Sequence, residues 1–283
     1  MQALVLALAS CLTYGFADFA GAACARRVPV LRVCRAVAGT GLVVELLLLP
    51  VTGGLFSPAA LGWGAASGVA AALAMALLYR CLATGPMTVL SPVTAVVSAV
   101  VPVVAGLALG ERLQGAHVAA LPLALAAVAL VSAGPGRSDD VGRPPRRALV
   151  LAVGAGAAIA VQLVCLHQAP HDSGLAPLVT GRAVSLLLVT LAGLALRPRR
   201  QPVPARMPIR LALTAGTLDA VANVAFLLAV RSGLLAVTAV VVALYPAGTL
   251  LLARGLLAER LRRVQAAGLA VAAVAVALLT APA

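Results

Sequence analysis

Ten apolar runs, each about as long as a bilayer is thick, constrain this chain more than any other feature. A hydrocarbon core of about 30 Å takes about 20 apolar residues in a helix. The first five runs fall at roughly 2–25, 33–51, 59–82, 87–109 and 115–133, and the next five at roughly 149–168, 177–196, 211–231, 234–254 and 264–281. Lipid offers the backbone no hydrogen-bond partner, so each run is expected to be a helix. With 63% hydrophobic and 10% charged residues and a mean hydropathy of +1.09, the chain has too little charge to cover a soluble globule. The expected class is an all-α integral membrane protein.

The remaining composition narrows the class further. The net charge of +13 comes from arginines, which sit in short breaks between apolar runs. There, positive charge orients a polytopic protein and does not mark a nucleic-acid surface. Cys11, Cys24, Cys34, Cys81 and Cys165 show no paired spacing, so they read as small packing residues without a disulfide framework or a metal site. The first run lacks a basic leader and carries Asp18 near its end, which favours a retained span over a signal peptide.

The runs divide into two sets around the polar linker "GPGRSDDVGRPPRR", residues 134–147. "RAV" at 35–37 recurs at 182–184, an offset of 182 − 35 = 147, and the Glu-Arg-Leu starting at Glu111 recurs at Glu259, where 259 − 111 = 148. Two echoes at nearly one register, with the same number of runs, indicate a five-helix duplication. Five is odd, so the second copy enters the membrane inverted, which is the plan of many secondary transporters. The expected organisation is a first repeat over 1–133, a cytoplasmic linker over 134–148 and a second repeat over 149–283. Of the 21 arginines, all but Arg112, Arg182 and Arg231 lie in or beside the breaks after runs 1, 3, 5, 7 and 9. The positive-inside rule then puts those breaks in the cytoplasm of a cell-membrane protein and both termini outside.

In order, spacing and duplication these segments resemble the drug/metabolite transporter superfamily, specifically its EamA-type ten-helix members. The resemblance spans the chain: "YGFADFAG" (14–21), the arginine of "RAV", "LYRCLATGPMTVLSPV" (78–93), "GERL" (110–113), "LDAVANVAFLLAVRSG" (218–233) and "LYPAGTLLLARGLLAERL" (244–261). It implies a solute carrier, often an exporter of amino acids, other metabolites or drugs. Two departures stand out: Tyr14 replaces the usual tryptophan, and the N-terminus is expected outside, whereas many members begin inside.

Polar residues inside the runs are the candidates for a solute cavity, because a charge at the bilayer centre costs about 2.5 to 3.5 kcal/mol on insertion scales and usually faces a bundle interior. Asp219 and Asn223 share one face of the eighth run, one turn apart, and an unpaired carboxylate at that depth requires a proton, a basic partner such as Arg182 or Arg35, or water. Asp18, Tyr14, Tyr245, Arg182 and Gln162 complete the candidate set. Arg35 and Arg182 sit early in their helices, where a long side chain can snorkel, and Glu45 is expected at a rim. Gly64 and Gly68 form a face for close packing, while Pro92, Pro102 and Pro246 can bend helices and free carbonyls. His167 and His171 are four apart, but Pro170 between them breaks the helix that would align them on a metal, so "HQAPHDSG" (167–174) reads as a polar external loop.

No catalytic constellation and no nucleotide-binding loop stand out. The expectation is a secondary transporter, not an enzyme, working by alternating access without a cofactor, on a small organic solute and in a lipid bilayer. A membrane scaffold or embedded enzyme is the alternative. Coupling to a proton or counter-solute is open, as is the number of copies. Few aromatics argue mildly against a stacking cage for flat cations, and buried charges of both signs suit a zwitterion.

Overall fold

The computed structural model describes residues 1–84, 87–113, 115–132, 146–196, 207–246 and 263–280. Residue 133 and linker residues 134–145, Glu259 and the side chain of Pro92 lie outside the described residues. Ten α-helices and no strand occur among the described residues. They are α1 (Gln2–Ala25), α2 (Val30–Thr52), α3 (Pro58–Thr84), α4 (Met87–Ala108) and α5 (Ala116–Ser132). After the linker come α6 (Arg146–Gln168), α7 (Ala176–Ala195), α8 (Ile209–Arg231), α9 (Leu235–Val242) and α10 (Arg263–Thr280).

The helices begin and end where local chemistry dictates. Prolines stand at the start of α3 and in the first turn of α7, where a missing N–H costs nothing. Gly53 ends α2 with φ of 72°, a conformation glycine adopts without strain. By length and composition α1, α2, α3, α6, α7 and α8 are each able to cross a membrane, and shorter apolar helices cover Val93–Ala108, His117–Val131 and Arg263–Leu279. The sequence expectation of ten full spans is thus met in length by six helices among the described residues. In α9 the regular helix stops at Val242, and Leu244 N–H bonds back to Val241 O at 3.2 Å. Pro246 has no N–H to offer the Val242 carbonyl, so the helix is interrupted where the sequence places a proline.

Outer faces are apolar and uncovered: Leu47 is 72% exposed, Val51 85% and Leu187 57%. Such a surface belongs in hydrocarbon. The interior, by contrast, is rich in alanine and glycine, which lets backbones approach closely. At the α3–α7 crossing a Cβ added to Gly68 would lie 2.8 Å from the backbone carbon of Gly181, and one added to Gly181 would lie 2.8 Å from the Gly64 carbonyl oxygen. The expected glycine face is therefore in use. Ser185 on α7 donates to the Gly68 carbonyl across the same crossing at 2.6 Å, and Ser10 on α1 donates to Ala222 O on α8 at 2.8 Å.

The connections gather at the two ends of the bundle. At one end the α2–α3 and α6–α7 loops exchange backbone bonds, Leu55 N to Ser173 O at 3.2 Å and Leu175 N to Gly53 O at 3.0 Å. Arg231, at the end of α8, donates to Pro170 O, Gly174 O and Ser173 Oγ, and Ala3 lies against Gly233. At the other end Arg26 donates to Leu82 O at 3.4 Å. Within the bundle α1 packs on α8 and α9, α3 on α6 and α7, α2 on α7 and α8, α4 on α6 and α9, and α5 on α10.

Candidate functional site

Arg182 follows Gly181, the residue at which α7 touches α3, so that close crossing fixes its backbone. Its side chain then turns inward. Nη1 lies 2.6 Å from Asp219 Oδ2 on α8, and Nε lies 3.1 Å from Glu45 Oε1 on α2. Gly41 on α2 makes room for this: a Cβ there would sit 3.0 Å from the guanidinium Nε. The side chains of Glu45 and Arg182 are 0% and 6% exposed.

Two sequence expectations change here. Glu45 is not a rim residue and Arg182 does not snorkel. Each stands roughly two turns inside its helix, and burial without a partner at that depth would be costly for either. Of the three states open to Asp219, the structure has the one paired with a basic group, and Arg182 is that group. Arg35 is exposed.

Asn223, one turn along α8, is 1% exposed. Its amide nitrogen donates to the Asp219 carbonyl at 2.8 Å and to Asp219 Oδ2 at 3.4 Å, and its Oδ1 accepts from Gln162 Nε2 on α6 at 2.9 Å. The chain of contacts therefore runs Glu45, Arg182, Asp219, Asn223, Gln162 across four helices. A hydrogen-bonded buried network of this kind holds its members in one geometry. Among the described residues Glu45 Oε2 alone in this network is buried without a hydrogen-bond partner.

A cavity of about 70 Å3, counted as the space open to water centres, lies against this network. Each water needs about 10 to 15 Å3 on that measure, so the space suits a handful of waters or one small solute. Tyr14 and Asp18 of α1, Tyr79 of α3, Ser98 of α4, Gln162 of α6, Arg182 of α7, Asp219 of α8 and Tyr245 beyond α9 supply its polar lining, with Ala74, Met75, Leu163 and Val242 among the apolar walls. Six of the seven candidates read from the sequence line it. The seventh, Asn223, stands one layer behind, holding Gln162 and Asp219. Tyr245 reaches the cavity because the helix is interrupted just before it.

Sequence reasoning did not pick out Tyr79 or Ser98, nor the role of Glu45. The signal for Tyr79 was Gly21: a Cβ there would lie 2.7 Å from Tyr79 Cε1, so the glycine ending "YGFADFAG" is the seat of the ring. Ser98 carries no local signal. His167 and His171 are apart from the cavity, the latter in the short 3-10 turn His171–Ser173 after Pro170. Glu111 lies at the far end of α4, where its carboxylate accepts from Leu235 N at 2.5 Å and Ala236 N at 3.0 Å, capping the start of α9.

A bundle of membrane-length helices around a buried, charged cavity defines a multi-pass membrane protein with a polar interior. Comparison with protein families makes this specific: residues 146–281 match the EamA-like transporter family, so this half of the chain is an EamA-type domain of the drug/metabolite transporter superfamily. No curated protein matches the chain. A solved crystal structure, described only as that of a protein, is similar with a TM-score of 0.76 at 18% identity, covering 98% of this chain and 96% of its own. At that identity the likeness speaks for the fold alone.

Proposed function

We propose that this protein is a secondary transporter, probing the membrane's two sides in turn, that moves a small organic solute through the cavity between its two halves. The observation that carries this reading is the composition of the lining. Tyr14, Asp18 and Tyr79 come from the first half of the chain, and Gln162, Arg182, Asp219 and Tyr245 from the second. A site shared in this way changes whenever the halves move against one another, which is the requirement of alternating access.

The pattern of helix packing supports two inverted repeats, 1–133 and 149–283 around the linker 134–148. Exchanging each helix with the one five later turns the α1–α8 contact into α6–α3, α2–α8 into α7–α3 and α4–α6 into α9–α1, and all of these contacts occur. The contacts α2–α7, α4–α9 and α5–α10 map onto themselves. A two-fold relation between the halves produces this set.

The arginine-rich breaks then face the cytoplasm and both termini face outward, and the expected direction is export. An enzymatic reading has less support: Ser98 borders the cavity, yet His117, His167 and His171 do not. Reconstitution into proteoliposomes with a panel of small metabolites, with and without a pH gradient, tests the reading. Flux of at least one solute, lost in Asp219→Ala protein that remains folded, is expected; absence of flux across a broad panel would remove it. For sidedness, labelling of single cysteines in intact cells should modify the C-terminus and spare the linker.

A further inference from the structure

We propose that the cavity binds a small organic ammonium ion, with the Asp18 carboxylate as its counter-charge and the tyrosine rings as its walls. This deepens the transporter reading above and rests on the cavity being the solute site.

Charge accounting carries the argument. Among the described residues three carboxylates, Asp18, Glu45 and Asp219, and one guanidinium, that of Arg182, stand together in the interior. The guanidinium is already held between Glu45 and Asp219 at 3.1 and 2.6 Å. No hydrogen bond or ion pair joins Asp18 to another described residue, and among the described residues Arg182 is the one basic side chain in the lining. A proton balances the surplus, and so does a positive ligand that takes the proton's place. An anion enlarges it, and the carboxylate of a zwitterion would have to compete with Glu45 and Asp219 for a guanidinium that both already hold. Opposite charge within a few ångströms is what lets a carboxylate stay ionised away from water.

The walls point the same way by an independent route. The chain has three tyrosines, and Tyr14, Tyr79 and Tyr245 all line this one cavity. Their ring faces attract cations, most strongly where water is excluded. Tyr79 is held on the Asp18 side: Gly21, against which its ring rests, follows Asp18 by three residues on α1 and so shares its face. The proposal departs here from the zwitterion that the sequence suggested, because the aromatics are few in number but gathered at one place.

The test uses the purified full chain in detergent and three probes of similar size: tetramethylammonium, which carries a permanent charge, tert-butanol, which is neutral, and propionate. Titration calorimetry is expected to show binding of tetramethylammonium at least tenfold tighter than of either other probe, and loss of that preference in Asp18→Asn. Tyr79→Leu is expected to weaken the cation several-fold and leave the weak binding of tert-butanol unchanged. Equal binding of the three probes by the unmodified protein overturns the proposal, whatever the variants do; so does unchanged cation binding by folded Asp18→Asn. Proteoliposome flux of other solutes without tetramethylammonium binding would defeat the cation site and spare the transporter, whereas cation binding with no flux of any solute would do the reverse.

Discussion

On the two-repeat organisation proposed above, the first five helices and the last five share a frame but not a chemistry. Gly68 seats α3 on α7, and Gly216, at 216 − 68 = 148, seats α8 on α2, where an added Cβ would lie 2.6 Å from Thr40 Cβ and 2.9 Å from the Val37 carbonyl oxygen. The side chains at the matching offsets have diverged. Tyr79 lines the cavity while Phe226, at 226 − 79 = 147, is fully buried in apolar core. Arg182 is buried and doubly paired, whereas Arg35, at an offset of 147, is exposed. Close helix contacts are kept on both sides because backbone spacing tolerates no added atoms. The buried arginine is placed on one side only, because one guanidinium between two carboxylates is a site and two copies of it would be a surplus.

The largest effect expected from breaking this asymmetry is at Arg182. Arg182→Ala leaves Glu45 and Asp219 buried without their cation, and removing one member of a buried ion pair costs about 3 to 5 kcal/mol. Thermal unfolding in detergent should show a large loss for Arg182→Ala, and Arg35→Ala should stay within about 0.5 kcal/mol of the parent. Comparable losses for the two would make the halves equivalent in charge after all.

The shared frame predicts matched effects next. Gly68→Ala and Gly216→Ala should each destabilise by about 1 to 3 kcal/mol, the usual cost of forcing extra atoms into a packed contact. Gly62→Ala is the control, since nothing lies within 4 Å of a Cβ added there. A third pair sharpens the contrast between cavity and core: Phe226→Tyr buries a hydroxyl without a partner and should cost about 1 to 3 kcal/mol, while Tyr79→Phe should fold normally and alter solute affinity. Smallest of all is Glu111→Gln, which weakens the cap on α9 by about 0.5 to 1 kcal/mol. Protein abundance should fall more than transport per molecule, and full abundance with lost transport would assign Glu111 a different role.

Hydropathy made the helices legible, because a bilayer sets both their length and their need for internal hydrogen bonds. The Asp219–Asn223 face was equally legible, since its two members are one turn apart. The Glu45–Arg182 pair was not: its partners are 137 residues apart in sequence, and neither has a local pattern that names the other. Depth counted along a helix misplaced both, because it measures distance from a terminus and not direction around the axis. Tyr79 was hidden for a related reason, its seat Gly21 lying on another helix.

The chain order of the triad has a consequence for biosynthesis. Ribosomes release Glu45 first, then Arg182, then Asp219, so a nascent bundle acquires the acid before the base and the second acid last. When α7 arrives, its arginine meets a carboxylate already waiting on α2, and the pair is neutral when the eighth helix comes to be inserted. A buried cation is therefore never presented to lipid without an acceptor made earlier. Asp219 in turn enters a membrane that already holds its partner, so the docking of α8 completes the triad.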